Sequence, residues 1–339
     1  MRVVLFGTDE FAIPSLVSLI EHRQQVLMCV TQPDRPQGRG LKRLPSPVKV
    51  AAQRLRVPVE EPETLRSFLP RMQRLQPEVG VVVSYGNLIP PALLTLPAHG
   101  MLGVHPSLLP KYRGASPIAW ALLNAQTATG VTIFRLDERL DAGEIASQQE
   151  VPIGPTDTAM TLSARLARLG AQALVDTLDA MEQGTASFHP QDERQASSAP
   201  KLTKAHGRID WRADAAAIDR LVRAMVPWPG AYTGWQGASL KVWRAGWQAA
   251  VDPSARAQAS GRGLAQDSAP RAELVGLHKP ARPGEVLSVG PEGLAVATGD
   301  GQLVIHELQL AGRRRMTAAE FLSGHDIRVG EILGTVGSP

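Results

Sequence analysis

The chain has 339 residues, 43% of them hydrophobic, which allows two domains with apolar cores. No apolar run reaches the ~18 residues that would suggest a membrane span, and Cys29, the only cysteine, leaves no disulfide framework and no cysteine-rich metal site. The net charge of +4 is modest but unevenly placed: Thr31 to Arg56 holds seven cations (Arg35, Arg39, Lys42, Arg43, Lys49, Arg54 and Arg56) against one acid, Asp34. Such a patch suits a phosphate-rich partner; the plain alternative is a solvated charged loop.

MRVVLFGTDEF reads as a first β-strand and not as a signal peptide, since acids follow the apolar run at once and no small-residue cleavage site appears. The cytoplasm is the expected compartment. Val3–Phe6 as strand, Phe11–Ile20 as helix and Val26–Val30 as strand make a βαβ opening to a parallel sheet. Val79–Val83 is a continuous β-branched run, as in a strand buried on both faces, and it ends in Ser84-Tyr85-Gly86. Met101–Val104 is the next strand and ends at His105. Ligand sites in open α/β sheets lie beyond the carboxyl ends of such strands, which puts His105 and Tyr85 in site positions.

Val131–Leu136 and Ile145–Val151 read as partner strands around the loop DERLDAGE, and Thr156 or Asp157 as the cap of a long packing helix. Residues 1–188 thus form a Rossmann-like α/β domain with a parallel sheet. The polar, Pro/Ser/Ala-rich stretch 189–207 reads as a linker. In 208–339 a helix over Ala215–Met225 precedes short strands with Gly-rich turns, which predicts a small β-barrel; 249–281 is a low-complexity insertion.

There is no GxGxxG, no P-loop, no HExxH and no GxSxG, and no metal site is expected. What remains is a histidine at a strand end with carboxylates nearby. A lone histidine is more often structural than catalytic; its place beside Pro106 at the sheet's carboxyl edge moves His105 towards function. A carboxylate can fix an imidazole's tautomer, and the sequence allows Asp137, Asp141 or neither in that role.

GVHPSLLPKYRG, with FGTDEFAIPSL, TQPDRPQGRGLKRLPSPVKV, VVVSYGNLIP, TGVTIFRLDERLDAGEI, RIDW and VPWPGAY, resembles the folate-dependent formyltransferases, and among them the methionyl-tRNA formyltransferase family. The resemblance runs in order along almost the whole chain, sparing the 249–281 insertion. It implies transfer of a formyl group from 10-formyltetrahydrofolate to the α-amine of methionine on initiator tRNA. An amine attacks the formyl carbon, an oxyanion develops and the folate N10 leaves, which calls for oxyanion donors and a proton acceptor.

By resemblance His105 polarises the formyl group and Asp141 supports it. Ser107, Leu108, Leu109 and Pro110 match the folate loop. The pterin is placed near Tyr85, Gly86, Leu88 and Ile89 and against the Asp137–Asp141 turn. Arg35, Arg39, Lys42 and Arg43 match the loop that meets the tRNA acceptor end, and Lys111 to Arg113 extend that basic rim. The C-terminal domain resembles an OB-like barrel that holds the acceptor stem. Nothing in the resemblance implies a membrane, a metal or more than a monomer.

One position departs from the family pattern. The family has Asn-x-His, with the asparagine holding the formyl oxygen, where this chain has Gly103. Water or a backbone N–H could serve instead, Asn87 could reach in from the neighbouring strand end, or the chain could be slow or inactive. Two further readings therefore stand beside the first: a formyltransferase with another amine acceptor, and a tRNA-binding homologue with impaired chemistry. The seven-cation segment argues against the one, and retention of His105, Asp141 and the SLLP loop against the other.

Overall fold

The computed structural model describes residues 1–37, 42–249 and 281–334. The chain divides into two units, Met1–Leu202 and Thr203–Pro339.

In the first unit β1 (Arg2–Gly7) pairs in parallel with β2 (Gln25–Val30), the two joined by α1 (Ile13–Glu21). A short antiparallel ribbon, β3 (Arg35–Gln37) with β4 (Lys42–Leu44), precedes α2 (Pro47–Arg54), and β5 (Val59–Glu60) pairs with β2. After α3 (Leu65–Leu75) come β6 (Val79–Val83), α4 (Pro91–Leu94), β7 (Met101–His105), α5 (Pro117–Leu123), β8 (Ala128–Arg135), β9 (Ile145–Pro152) and α6 (Ala159–Glu182). The sheet order is β5-β2-β1-β6-β7-β8-β9. Pairing is parallel from β5 to β7; β8 and β9 are antiparallel additions at one edge. The sheet is thus mostly parallel rather than wholly so. The loop between β8 and β9 is too short for the crossover that parallel neighbours need.

Side-chain caps punctuate the helices. Ser46 caps α2 ahead of Pro47, Thr64 caps α3, and Thr158 with Thr161 forms a reciprocal box at the start of α6. The cap of α6 therefore lies one residue beyond Asp157 and two beyond Thr156, the two positions expected. Asp157 accepts instead from the Gly154 N–H and the Thr161 hydroxyl. Leu162, Leu166, Leu174 and Leu178 of α6 are fully buried, as are Val3 to Phe6 of β1 and Val79, Val81 and Val83 of β6. This apolar packing holds the carboxyl ends of β1, β6 and β7 in place, the edge where the candidate site lies.

The second unit has α7 (Ala215–Ala224), capped by Asp214, and an antiparallel sheet. Its strands are β10 (Ala231–Trp235), β11 (Ala238–Gln248), β12 (Val286–Gly290), β13 (Gly293–Ala297) and β14 (Gln302–Leu310), ordered β10-β11-β14-β13-β12, with β15 (Met316–Thr317) on β14. An antiparallel sheet thus stands where the Gly-rich turns predicted a small β-barrel, and among the described residues its strand order is open, β10 and β12 being the two ends. Residues 250–280, nearly all of the expected insertion, lie outside the described residues.

Candidate active site

His105 ends β7, whose five residues are all buried. Residues 101, 103 and 105 share one face of the strand. Across to β8, Gly103 pairs with Phe134 and His105 with Thr132. The His105 side chain is only 8% exposed. Its Nε2 lies 2.9 Å from the carbonyl oxygen of Tyr112. A carbonyl can only accept, so Nε2 carries the proton. That leaves Nδ1 facing Asp141, whose Oδ2 is 3.7 Å away. The separation is too long for a direct hydrogen bond; an atom lodged beside the pair can reach both groups.

The two aspartates left open by the sequence part ways here. Asp137 caps the Arg139 N–H at 2.8 Å and pairs with its guanidinium at 2.9 Å. Asp141 turns back to His105 with a left-handed φ of 51°, and its Oδ2 accepts the Gly114 N–H at 2.8 Å. The turn needs Gly143, since a Cβ there would collide with the carbonyl oxygen of Arg135.

The loop after β7 is fastened from below. The buried Thr132 hydroxyl donates to the Ser107 carbonyl at 2.7 Å and accepts the Leu109 N–H at 3.0 Å. Gln148 donates to Thr132 Oγ1 and to the Leu109 carbonyl. Ser107 Oγ donates to the Lys111 carbonyl at 2.6 Å, and the side chains of Ser107 and Leu109 are buried. In this loop Leu108 and Pro110 are the part-exposed members.

Tyr85 belongs to the core, edge-on to Phe6. Its carbonyl accepts from Thr8 Oγ1 and Gln32 Nε2, and burial pushes its phenol pKa up. Gly86 and Asn87 are exposed, Ile89 packs partly on the core, and Leu88 stands 75% exposed. Leu140, in the loop of Asp141, is 55% exposed. Two bare leucines on the loops flanking the histidine suit an aromatic ligand.

Of the basic residues, Arg35 lies in β3 and Lys42 in β4, Arg43 is exposed, and Arg39 lies outside the described residues. Arg113 does not extend a free basic rim. Its side chain is 15% exposed and bound to Gln191 and Glu193.

Four features carried no local signal in the sequence: the Tyr112 carbonyl, Thr132, Gln148 and Gln191. Asp9 had one, its place after β1 at the sheet's carboxyl edge. It accepts from Ser84 Oγ at 2.6 Å, and burial pushes its carboxyl above the ordinary range.

Residues 1–178 match the Formyl transferase family, and residues 201–326 match the Formyl transferase C-terminal domain. A methionyl-tRNA formyltransferase of Geobacter sulfurreducens is 40% identical over 100% of this chain and 98% of its own length. One from Pelotomaculum thermopropionicum is 43% identical over 98% of this chain and 99% of its own. The chain belongs to the methionyl-tRNA formyltransferase family. Solved structures extend the fold further than the sequence does. HypX of Aquifex aeolicus, in complex with tetrahydrofolic acid, aligns with a TM-score of 0.62 at 18% identity, covering 97% of this chain and 50% of that one. The sugar 3N-formyl transferase WlaRD aligns with a TM-score of 0.60 at 15% identity, covering 93% of this chain and 99% of that one.

Against the Asn-x-His pattern of methionyl-tRNA formyltransferases, Gly103 has a structural counterpart in Phe134. A Cβ at position 103 would run into the Phe134 ring, lying 2.7 Å from its Cζ, and would sit 2.9 Å from Leu136 Cδ1. The space an asparagine would occupy is filled from the neighbouring strand, and the same ring stands edge-on to His105 with centroids 6.4 Å apart.

Proposed function

We infer that the chain transfers the formyl group of 10-formyltetrahydrofolate to the free amino group of methionyl initiator tRNA. The observation that carries the reading is His105: a buried imidazole at a strand's carboxyl end, with Nε2 on the Tyr112 carbonyl and Nδ1 turned to Asp141. It sits in a chain whose full-length relatives are named for this reaction.

In the proposed chemistry the amine nitrogen bonds to the formyl carbon and the bond from that carbon to N10 breaks. The amine gives up one proton and N10 gains one. Asp141, beside His105, is the acceptor for the amine's proton. His105 presents its Nδ1 edge to the formyl group and polarises it as the oxyanion develops; its Nε2 is already committed to a carbonyl and holds the ring's orientation. Leu88, Ile89, Leu108 and Pro110, with the backbone of Gly86, Ser107, Leu109 and the Asp137–Asp141 turn, form the proposed folate surface. The Tyr85 ring, enclosed in the core, acts as its support. Arg35, Arg39, Lys42 and Arg43 are the proposed contacts to the tRNA acceptor end. Action as a monomer is part of the proposal. The proposed compartment is the cytoplasm, where initiator tRNA is used. No helix among the described residues is long and apolar enough to cross a membrane.

The test is to incubate the protein with 10-formyltetrahydrofolate and either charged initiator tRNA or an amino-sugar nucleotide. Formyl-methionine on the tRNA is expected. Formylated sugar with no formyl-methionine would overturn the assignment of the acceptor, and tRNA binding without any product would overturn the reaction.

A further inference from the structure

We propose that Gln191 is a positioning residue for formyl transfer: its carboxamide holds the backbone turn that presents Asp141 to His105. The inference rests on the assignment of the His105–Asp141 pair above.

Gln191 follows α6 by nine residues, in the stretch whose composition reads as a linker, yet its side chain reaches back into the site. Its Nε2 donates to the carbonyl of Asp141 at 2.9 Å and to that of Gly143 at 2.7 Å. Its Oε1 accepts from Arg113 Nε at 3.1 Å and Nη2 at 2.7 Å. Both donors and both acceptor positions of the amide are thereby used. The partners also fix which way round the amide sits, since the reverse would set NH2 against a guanidinium and oxygen against two carbonyls.

The turn needs such a hold. A non-glycine residue at φ 51° is uncommon and persists where its surroundings determine it. The carbonyls of 141, 142 and 143 are all bonded by side chains, the middle one by Arg139 Nη2 at 3.1 Å. Arg139 is 64% exposed and its partner Glu193 57% exposed, so that part of the brace is open to solvent and salt. The half-buried neutral amide has the sheltered share. The same segment also reaches the other partner of His105, since Ser197 Oγ accepts the Tyr112 N–H at 2.9 Å.

Gln191→Glu keeps the shape and the bond to Arg113 but turns the donor facing Asp141 and Gly143 into an acceptor. Gln191→Met keeps the length and removes every hydrogen bond, and serves as the second variant. Steady-state formylation of charged initiator tRNA is measured beside tetrahydrofolate binding and the melting curve, with Asp141→Asn in parallel. In both Gln191 variants kcat is expected to fall on the order of 10- to 100-fold, as for a displaced reacting group, while KM for the formyl donor stays within about twofold.

A kcat within about twofold of wild type in both variants, a loss appearing only as raised KM, or loss of folding in both would overturn the proposal. If the Gln191 variants are silent while Asp141→Asn is impaired, the positioning role fails and the site assignment stands. If Asp141→Asn is silent too, the site assignment itself fails.

Discussion

The loops after β7 and β8 meet at the same imidazole and are built on opposite principles. The first is fastened by uncharged groups: the buried Thr132 and Ser107, joined by the more exposed Gln148, bond its backbone. The second is laced by exposed charges, Asp137, Arg139 and Glu193, with one amide, Gln191, behind them. A buried hydrogen bond is costly to leave half made, whereas an exposed ion pair contributes little and is screened. The first loop is therefore a fixed floor that sets the Tyr112 carbonyl and the proposed folate surface. The second carries the Asp141 carboxylate on a mount that depends on few groups.

The largest expected effect in this contrast is at the carboxylate. Asp141→Asn keeps an oxygen for the Gly114 N–H but loses the charge, and kcat should fall on the order of 10²- to 10⁴-fold, as for removal of a general base, with tetrahydrofolate binding retained. Equal loss of binding would mean that Asp141 shapes the folate surface and is not the proton acceptor.

Next comes the floor. Thr132→Val leaves the Leu109 N–H and the Ser107 carbonyl without their hydroxyl partner, and should cost about 2–3 kcal/mol in urea unfolding. A neutral outcome would mean that the loop rearranges freely.

The third test joins the two strands. Gly103→Asn alone should destabilise by about 1–3 kcal/mol through overpacking against Phe134, and Phe134→Ala should relieve part of that cost when the two are combined. Additivity in the double-mutant cycle would contradict the view that the ring fills the position.

The smallest effect belongs to the exposed lacing. Glu193→Gln should leave the melting curve unchanged. Hydrogen bonding from Arg113 holds the Glu193 carboxyl below its ordinary value. Its folded-state pKa lies under the unfolded one, so any contribution is present at neutral pH and disappears as acid protonates the folded carboxylate. A clear loss of stability at neutral pH would blur the distinction between the two loops.

Much of this architecture was open to reading from the residues. Val3–Phe6 and Val79–Val83 announced buried parallel strands, and His105 at a strand end announced the candidate site. The antiparallel pairing of β9 with β8 was readable in principle from the short DERLDAGE connection, which rules out a crossover, whereas the reversal of β8 against β7 was not, since the long segment between them, with α5, allows either direction. The β3–β4 ribbon was not, because Arg35–Gln37 and Lys42–Leu44 show no apolar alternation and look like a charged loop. Gln191 was hidden for a different reason. It lies in a polar stretch, and its partners are Arg113, 78 residues away, and the turn at 141–143, 48 to 50 residues away, which only the folded chain brings together. The Phe134 ring explains Gly103 only once the register across β7 and β8 is known.

In the proposed reaction, formyl transfer takes place at His105 although Gly103 offers no side-chain donor. Single-turnover formylation of charged initiator tRNA by the wild type and by His105→Ala, with tRNA binding measured on both, tests it most directly. Formyl-methionine is expected from the wild type, with a rate lower on the order of 10²- to 10³-fold in the variant, as for loss of oxyanion stabilisation, and with tRNA binding unchanged. Equal rates in the two proteins, or no product from either, would contradict it.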